Sequence, residues 1–178
     1  MREIFCEVEV IQTFDTLRNT MILKEESTSQ EIIIGDIPAE SILLKLDVDK
    51  AGYKKRTNYF NPTTQFIHKG CDYCLIIPTQ LLIILFELKS EKPKKIDYLK
   101  QFIASEYFMD YCIKLSSYIN NSESIYSYKR ILLSKKYNVH YTNRTKLQDL
   151  SQSDVFGKTY VIKSPGFPHR IRLNKLIS

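Results

Sequence analysis

The stretch Cys71–Ser90, CDYCLIIPTQLLIILFELKS, constrains this chain more than any other. It reads as two apolar strands joined by a tight turn. Pro78-Thr79-Gln80-Leu81 is the expected turn, because proline suits an early turn position and cannot donate to a ladder. Three charged residues interrupt the apolar character: Asp72 near the start of the first strand, and Glu87 and Lys89 near the end of the second. A charge in a buried strand is costly unless it is paired or binds a metal.

The numbering sets the geometry. Pairing Pro78 with Leu81 in an antiparallel hairpin puts Asp72 directly opposite Glu87, with Cβ atoms about 4.5–5.5 Å apart. Strand side chains alternate, so Lys89 shares the face of Glu87. Two carboxylates at that spacing repel. A divalent cation resolves the repulsion, since a hard cation such as Mg²⁺ takes one or two carboxylates plus water and phosphate oxygens. A structural ion pair, with Lys89 neutralising either carboxylate, is the plainer alternative.

Asp72, a gap of fourteen residues, and then Glu87-Leu88-Lys89 resemble the PD-(D/E)xK nuclease superfamily, the restriction-endonuclease-like fold. The resemblance runs from Lys69 through the helix expected after Ser90. The family's proline before the aspartate is replaced by Cys71. It implies an α/β fold with a mixed central sheet flanked by helices, and metal-dependent phosphodiester hydrolysis. Asp72 and Glu87 would hold one or two Mg²⁺ or Mn²⁺ ions, with the backbone carbonyl of Leu88 as a further ligand. Lys89 would orient the attacking water or stabilise charge on the phosphate. Many members carry a glutamine near the start of the next helix, and Gln101 stands twelve residues after Lys89. Some exonuclease-like members have a tyrosine four residues further on, where this chain has Ser105. Members often add a glutamate from an N-terminal helix. Glu40 is the nearest candidate, with Asp47 and Asp49 as rivals. A DNA endonuclease is the expected activity, although the pattern does not separate DNA from RNA. The alternative is an inactive nuclease-fold protein that binds nucleic acid or another protein.

Charge is unevenly distributed. Residues 1–128 carry 15 Lys/Arg and 18 Asp/Glu, whereas residues 129–178 carry 11 and 2, a net charge of +9. That basic segment is interleaved with Tyr137, Tyr141, Phe156, Tyr160 and Phe167, as a phosphate-contacting surface would be. Lys69, Arg130, Lys135, Lys136, Arg170 and Arg172 are the candidate contacts. The bland counterpart is a solvated basic edge.

At 178 residues and 43% apolar content, one globular domain is expected. No apolar run approaches the roughly 18–20 residues of a membrane span. The N-terminus lacks the pattern of a signal peptide, so a cytoplasmic location is expected. A homodimer is the expected assembly if both strands of a duplex are cut. Cys71 and Cys74 form a C-x₂-C without a second pair, and residues three apart on a strand face opposite sides, so core roles are expected for the cysteines. Five glycines leave no Gly-rich phosphate loop.

Element by element, residues 1–23 suit a strand or short helix, and Lys24–Gln30 a polar loop. Strands are expected at Glu31–Ile34, Ile42–Lys50, Tyr53–Thr57, Arg130–Lys135, Thr159–Lys163 and Arg170–Leu176. A long helix spans Lys95–Ile119, started by Ser90 or Glu91 with Pro93. Its wide apolar band (Leu99, Phe102, Ile103, Met109, Cys112, Ile113, Leu115) predicts a sheet on one side and a further partner on the other. Residues 137–154 read as loop or short helix.

Overall fold

The structure, a computed structural model, describes residues 2–5, 9–25, 30–48, 63–64, 68–90, 94–134, 148–165 and 168–178. The Cys71–Ser90 stretch is its centre. Strand β5 (Tyr73–Ile77) and strand β6 (Leu82–Lys89) pair antiparallel, with Tyr73 opposite Phe86 and Ile77 opposite Leu82. A 3₁₀ turn at Pro78–Gln80 joins them and closes with Leu81 in the left-handed region, φ 48°. Leu81 is a branched residue where glycine is easier, so the turn carries backbone strain.

Among the described residues the hairpin sits inside a seven-stranded mixed sheet, β1-β4-β5-β6-β7-β9-β8. Its other members are β1 (Ile11–Gln12), β4 (Ile42–Lys45), β7 (Ser127–Ser134), β8 (Gln148–Ser153) and β9 (Thr159–Ser164). Helix α1 (Lys95–Ile119) makes the crossover from β6 to the parallel strand β7. A separate sheet, three-stranded among the described residues, joins β2 (Met21–Glu25), β3 (Gln30–Gly35) and β10 (Arg170–Arg172), and leads into the short helix α2 (Leu173–Ile177).

Alternation along β5 and β6 builds two cores. Tyr73, Leu75, Ile77, Leu82, Ile84, Phe86 and Leu88 face the small sheet and α2, meeting Met21, Leu23, Ile32, Ile34, Ile171 and Leu176. Cys74, Ile76, Ile83 and Leu85 face α1, meeting Tyr98, Leu99, Phe102, Met109 and Ile113. Both faces of the hairpin are therefore covered, which is why Tyr73–Ile77 and Leu82–Phe86 are each an unbroken apolar run. The two sheets are also tied at one edge. The Tyr73 hydroxyl accepts a hydrogen bond from the Lys24 N–H and donates to the Lys24 carbonyl, each at 3.2 Å. Both groups lie on the outer edge of β2, where no strand among the described residues pairs with them.

The α/β class and the mixed sheet agree with the sequence reading, as do the helix bounds Lys95–Ile119. Several elements differ. The strand at Ile42 ends at Lys45. Lys24, Glu25 and Gln30 belong to strands, because β2 and β3 extend toward each other across the supposed loop. Residues 148–153 form the edge strand β8; an edge strand needs little apolar content, which made it look like loop. The final strand stops at Arg172 and gives way to helix α2, where Leu173 and Leu176, three residues apart, are both buried. Lys94 takes the helix N-cap position without a side-chain bond. The outer flank of α1 leaves Tyr107, Tyr111 and Tyr118 exposed, so the second partner expected there does not cover them among the described residues. Asp49, Tyr53–Thr57, Lys135, Lys136 and residues 137–147 lie outside the described residues.

Candidate functional site

Asp72 directly precedes β5 and continues its register, so it stands opposite Glu87 on β6. Both residues, with Lys89, belong to the face of the sheet that α1 covers. The Asp72 backbone carbonyl accepts a hydrogen bond from the Leu46 N–H at 2.8 Å, extending the pairing of β5 with the chain beyond β4. Its carboxylate Oδ2 accepts the Leu88 N–H at 2.6 Å. Asp72 is thus held at two points, by its backbone on one neighbouring segment and by its side chain on another.

Glu87 is fully buried, and its Oε1 pairs with the Lys89 ammonium, which is about one-third exposed. Its Oε2 makes no well-formed hydrogen bond among the described residues, although the Gln101 amide lies near enough to favour its charge. Burial raises the Glu87 carboxyl well above the usual range, and the nearby Asp72 charge raises it further against the pull of Lys89 and Gln101. Burial likewise pushes Asp72 up to about 7, opposed by the Leu88 N–H and by Lys89, and reinforced by the negative charges of Glu25 and Asp47. Burial works against the Lys89 charge, but Glu87 outweighs it, and the ammonium stays protonated with a raised pKa. Two close, desolvated carboxylates cannot both ionise cheaply beside one lysine. The site is therefore short of positive charge.

Helix α1 fixes the approach to this pair. Gln101 Nε2 donates to the Gly70 carbonyl at 3.1 Å, and Ser105 Oγ accepts the Cys71 N–H at 2.8 Å. Gln101 and Ser105 are four residues apart, hence on one helix face. Together they clamp the two residues that lead into Asp72. Ser105 was not a site candidate from sequence. A polar residue one turn after Gln101, inside an apolar band, was the signal for it.

The structure brings Asp72, Glu87, Lys89 and Gln101 together, and Leu88 enters through its backbone. Glu40 is not brought there. It lines a surface depression with Pro78 and Thr79, at the turn end of the hairpin, opposite the end that carries Asp72. The cause is that residue 40 lies in the turn before β4, whose start pairs with the turn-proximal end of β5. Asp47, just past β4, and Glu25, at the end of β2, are the acidic groups whose charge reaches Asp72. Among the described residues no set of three His, Cys, Asp or Glu side chains is placed to hold one ion. The two carboxylates would then leave the remaining positions of a cation to water and substrate oxygens, a distribution typical of Mg²⁺.

The basic candidates separate. Arg130 is internal: its guanidinium pairs with the buried Glu106 and stacks 4.6 Å over the Tyr160 ring. It belongs to a structural cluster between α1, β7 and β9, because β7 is a central strand whose side chains on this face meet the helix. That occupancy corrects its expected place on an outer phosphate-contacting surface. Lys69, Arg170 and Arg172 are exposed, the last two on the outer face of the small sheet. Cys71, Cys74 and Cys112 are buried and not disulfide-bonded, and Cys71 and Cys74 face the core around α1.

No protein-family model, curated protein or solved structure matches this chain. No helix among the described residues is long and apolar enough to cross a membrane.

Proposed function

We propose that this chain is a metal-dependent nuclease of PD-(D/E)xK type, on a restriction-endonuclease-like fold, hydrolysing phosphodiester bonds in DNA. One observation carries the reading. Asp72 and Glu87 face each other across the β5–β6 ladder with Lys89 on the same face, beside a buried Glu87 oxygen that makes no well-formed hydrogen bond among the described residues. A hard divalent cation fits that donor set, because it would supply the positive charge that one lysine cannot. Asp72 and Glu87 would hold Mg²⁺ or Mn²⁺, with the Leu88 carbonyl as a further oxygen. Such an ion would supply Lewis acidity toward the phosphate and acidity to a bound water.

The chain's own groups do the rest. Leu88 N–H orients the Asp72 carboxylate. Burial beneath α1 excludes water from Glu87 and strengthens every charge interaction at that end of the sheet. Lys89, partly exposed, presents an ammonium where negative charge develops on the phosphate. Gln101 and Ser105 hold the segment before Asp72 and so fix its position.

The test is cleavage of supercoiled and linear DNA with Mg²⁺, Mn²⁺ or EDTA. The parent protein should cut only with metal, and folded Asp72→Asn and Lys89→Met variants should not cut. Salt-dependent DNA binding by the parent without any cleavage would replace the nuclease reading with that of a binding module.

A further inference from the structure

The expected phosphate surface loses Arg130 to the interior, and the fold assembles a different group of cations. A groove of about 590 Å³ runs over the outer face of the small sheet and the loop that leads into β2. Ile22 and Ile33, direct partners across β2 and β3, form its floor, and Arg170 of β10 extends the same row. Arg18 and Lys24 rise from the β2 side, and Tyr73 lies where the groove meets the large sheet. Three cations, Arg18 and Lys24 close in sequence and Arg170 far along the chain, thus line one concave surface with Asp15, beside a partly exposed apolar floor.

None of the three is firmly committed elsewhere. The Lys24–Glu31 pair, at 2.7 Å, is exposed on both sides. The Arg18–Asp15 contact is 3.7 Å with Arg18 82% exposed, and Asp15 already caps its own turn by accepting the Leu17 and Arg18 N–H groups. Arg170 has no carboxylate partner among the described residues. Exposed pairs contribute little, so exchanging a carboxylate for a phosphate costs little.

The groove reaches the end of the hairpin that carries the candidate site, although Tyr73 and Asp72 point to opposite faces of the large sheet. Tyr73 is the next residue after Asp72, and its hydroxyl grips Lys24 at both backbone atoms. Glu25, next to Lys24, is close enough for its charge to be felt at Asp72.

We propose that this groove, through Arg18, Lys24 and Arg170, holds the phosphodiester backbone of the DNA strand that passes the Asp72–Glu87 site. The proposal rests on the nuclease reading for its substrate, but its test does not depend on cleavage. Fluorescence anisotropy of a labelled duplex and a labelled single strand is followed against salt concentration in EDTA. Three proteins are compared: the parent, Arg18→Gln/Arg170→Gln, and Lys114→Gln/Lys158→Gln, which removes the same charge away from the groove. The groove variant should bind roughly tenfold more weakly near 100 mM salt, and the slope of log K against log salt should fall by about 2. The control variant should stay close to the parent. Equal losses in both variants would mean that net charge alone drives binding, and would overturn the groove. Unchanged affinity in the groove variant would overturn it while leaving DNA as a ligand. Absence of any salt-dependent binding by the parent would overturn both the groove and the substrate assignment.

Discussion

The Leu88 N–H lies 2.6 Å from the Asp72 carboxylate, so a backbone group of the glutamate strand holds the aspartate that faces Glu87. This bond favours the charged form of Asp72, yet burial wins and the carboxyl sits at about 7. In the unfolded chain the same group ionises near 3.8. Between those values the folded, metal-free protein keeps a proton that the unfolded chain releases. Stability therefore falls as pH rises from roughly 4 to 7. Asp72→Asn removes that penalty while keeping an oxygen for the Leu88 N–H. It should stabilise the metal-free protein by on the order of 2–4 kcal/mol at pH 8 and by almost nothing at pH 4. Urea melts in EDTA at the two pH values check this.

Metal reverses the relationship. A cation binds the ionised carboxylates, so it competes with the proton on Asp72 and the shared charge on Glu87. Mg²⁺ should raise the melting temperature of the parent more at pH 8 than at pH 6. It should leave Asp72→Asn and Glu87→Gln nearly unmoved. Differential scanning fluorimetry across metal concentration and pH gives the comparison.

Lys89 is the charge partner of buried Glu87. Lys89→Met strips that partner, and Glu87 must then take up a proton or remain an isolated charge. The single variant should lose about 3 kcal/mol at neutral pH. Adding Glu87→Gln should restore most of the loss, because both members of the pair are then neutral. A double-mutant cycle in urea measures the coupling, and both variants should lack cleavage activity.

Ser105 accepts the Cys71 N–H in the interior. Ser105→Ala leaves that donor without its partner, at a cost of about 1–3 kcal/mol. The same change loosens the segment that positions Asp72. Cleavage should fall more steeply than stability alone explains when the two are compared at a temperature where the variant is fully folded. Ser105→Thr, which keeps a hydroxyl, should recover part of the activity.

Arg130 separates the interior role of a cation from a surface role. Its side chain is 15% exposed and pairs with Glu106, which burial pushes toward protonation against the pull of the guanidinium. Arg130→Ala should destabilise the protein by about 3 kcal/mol. DNA affinity at a temperature where it is folded should match the parent. A drop in affinity with unchanged stability would place Arg130 on the outer surface instead.

Much of the site was readable because a hairpin has arithmetic. Once Pro78 and Leu81 fix the turn, the facing of Asp72 and Glu87 follows, and the structure keeps that register. The long helix was equally plain from its spacing. What stayed hidden depends on contacts between distant segments. The charge of Glu25 reaches Asp72 only because the small sheet docks beside the hairpin, and no local pattern places residue 25 near residue 72. Arg130 looked like a surface cation because its partners, Glu106 and Tyr160, come from a helix and a strand far away in sequence. Strand β8 escaped notice because an edge needs little apolar content, and Glu40 was favoured because chain order does not show at which end of a hairpin a turn arrives.

The small sheet joins β3 to β10 in parallel, with Ile33 beside Arg170 and Gly35 beside Arg172. A segment thus waits for a partner made more than a hundred residues later. The β5–β6 hairpin closes over a few residues and can form while the chain is still emerging, whereas this pairing must close a loop of more than a hundred residues. Until then Ile33 and Ile34 lack their neighbours on one side. The hairpin that carries Asp72 and Glu87 is therefore set early in the folding order, and the groove over the small sheet is completed only when Arg170 reaches β3.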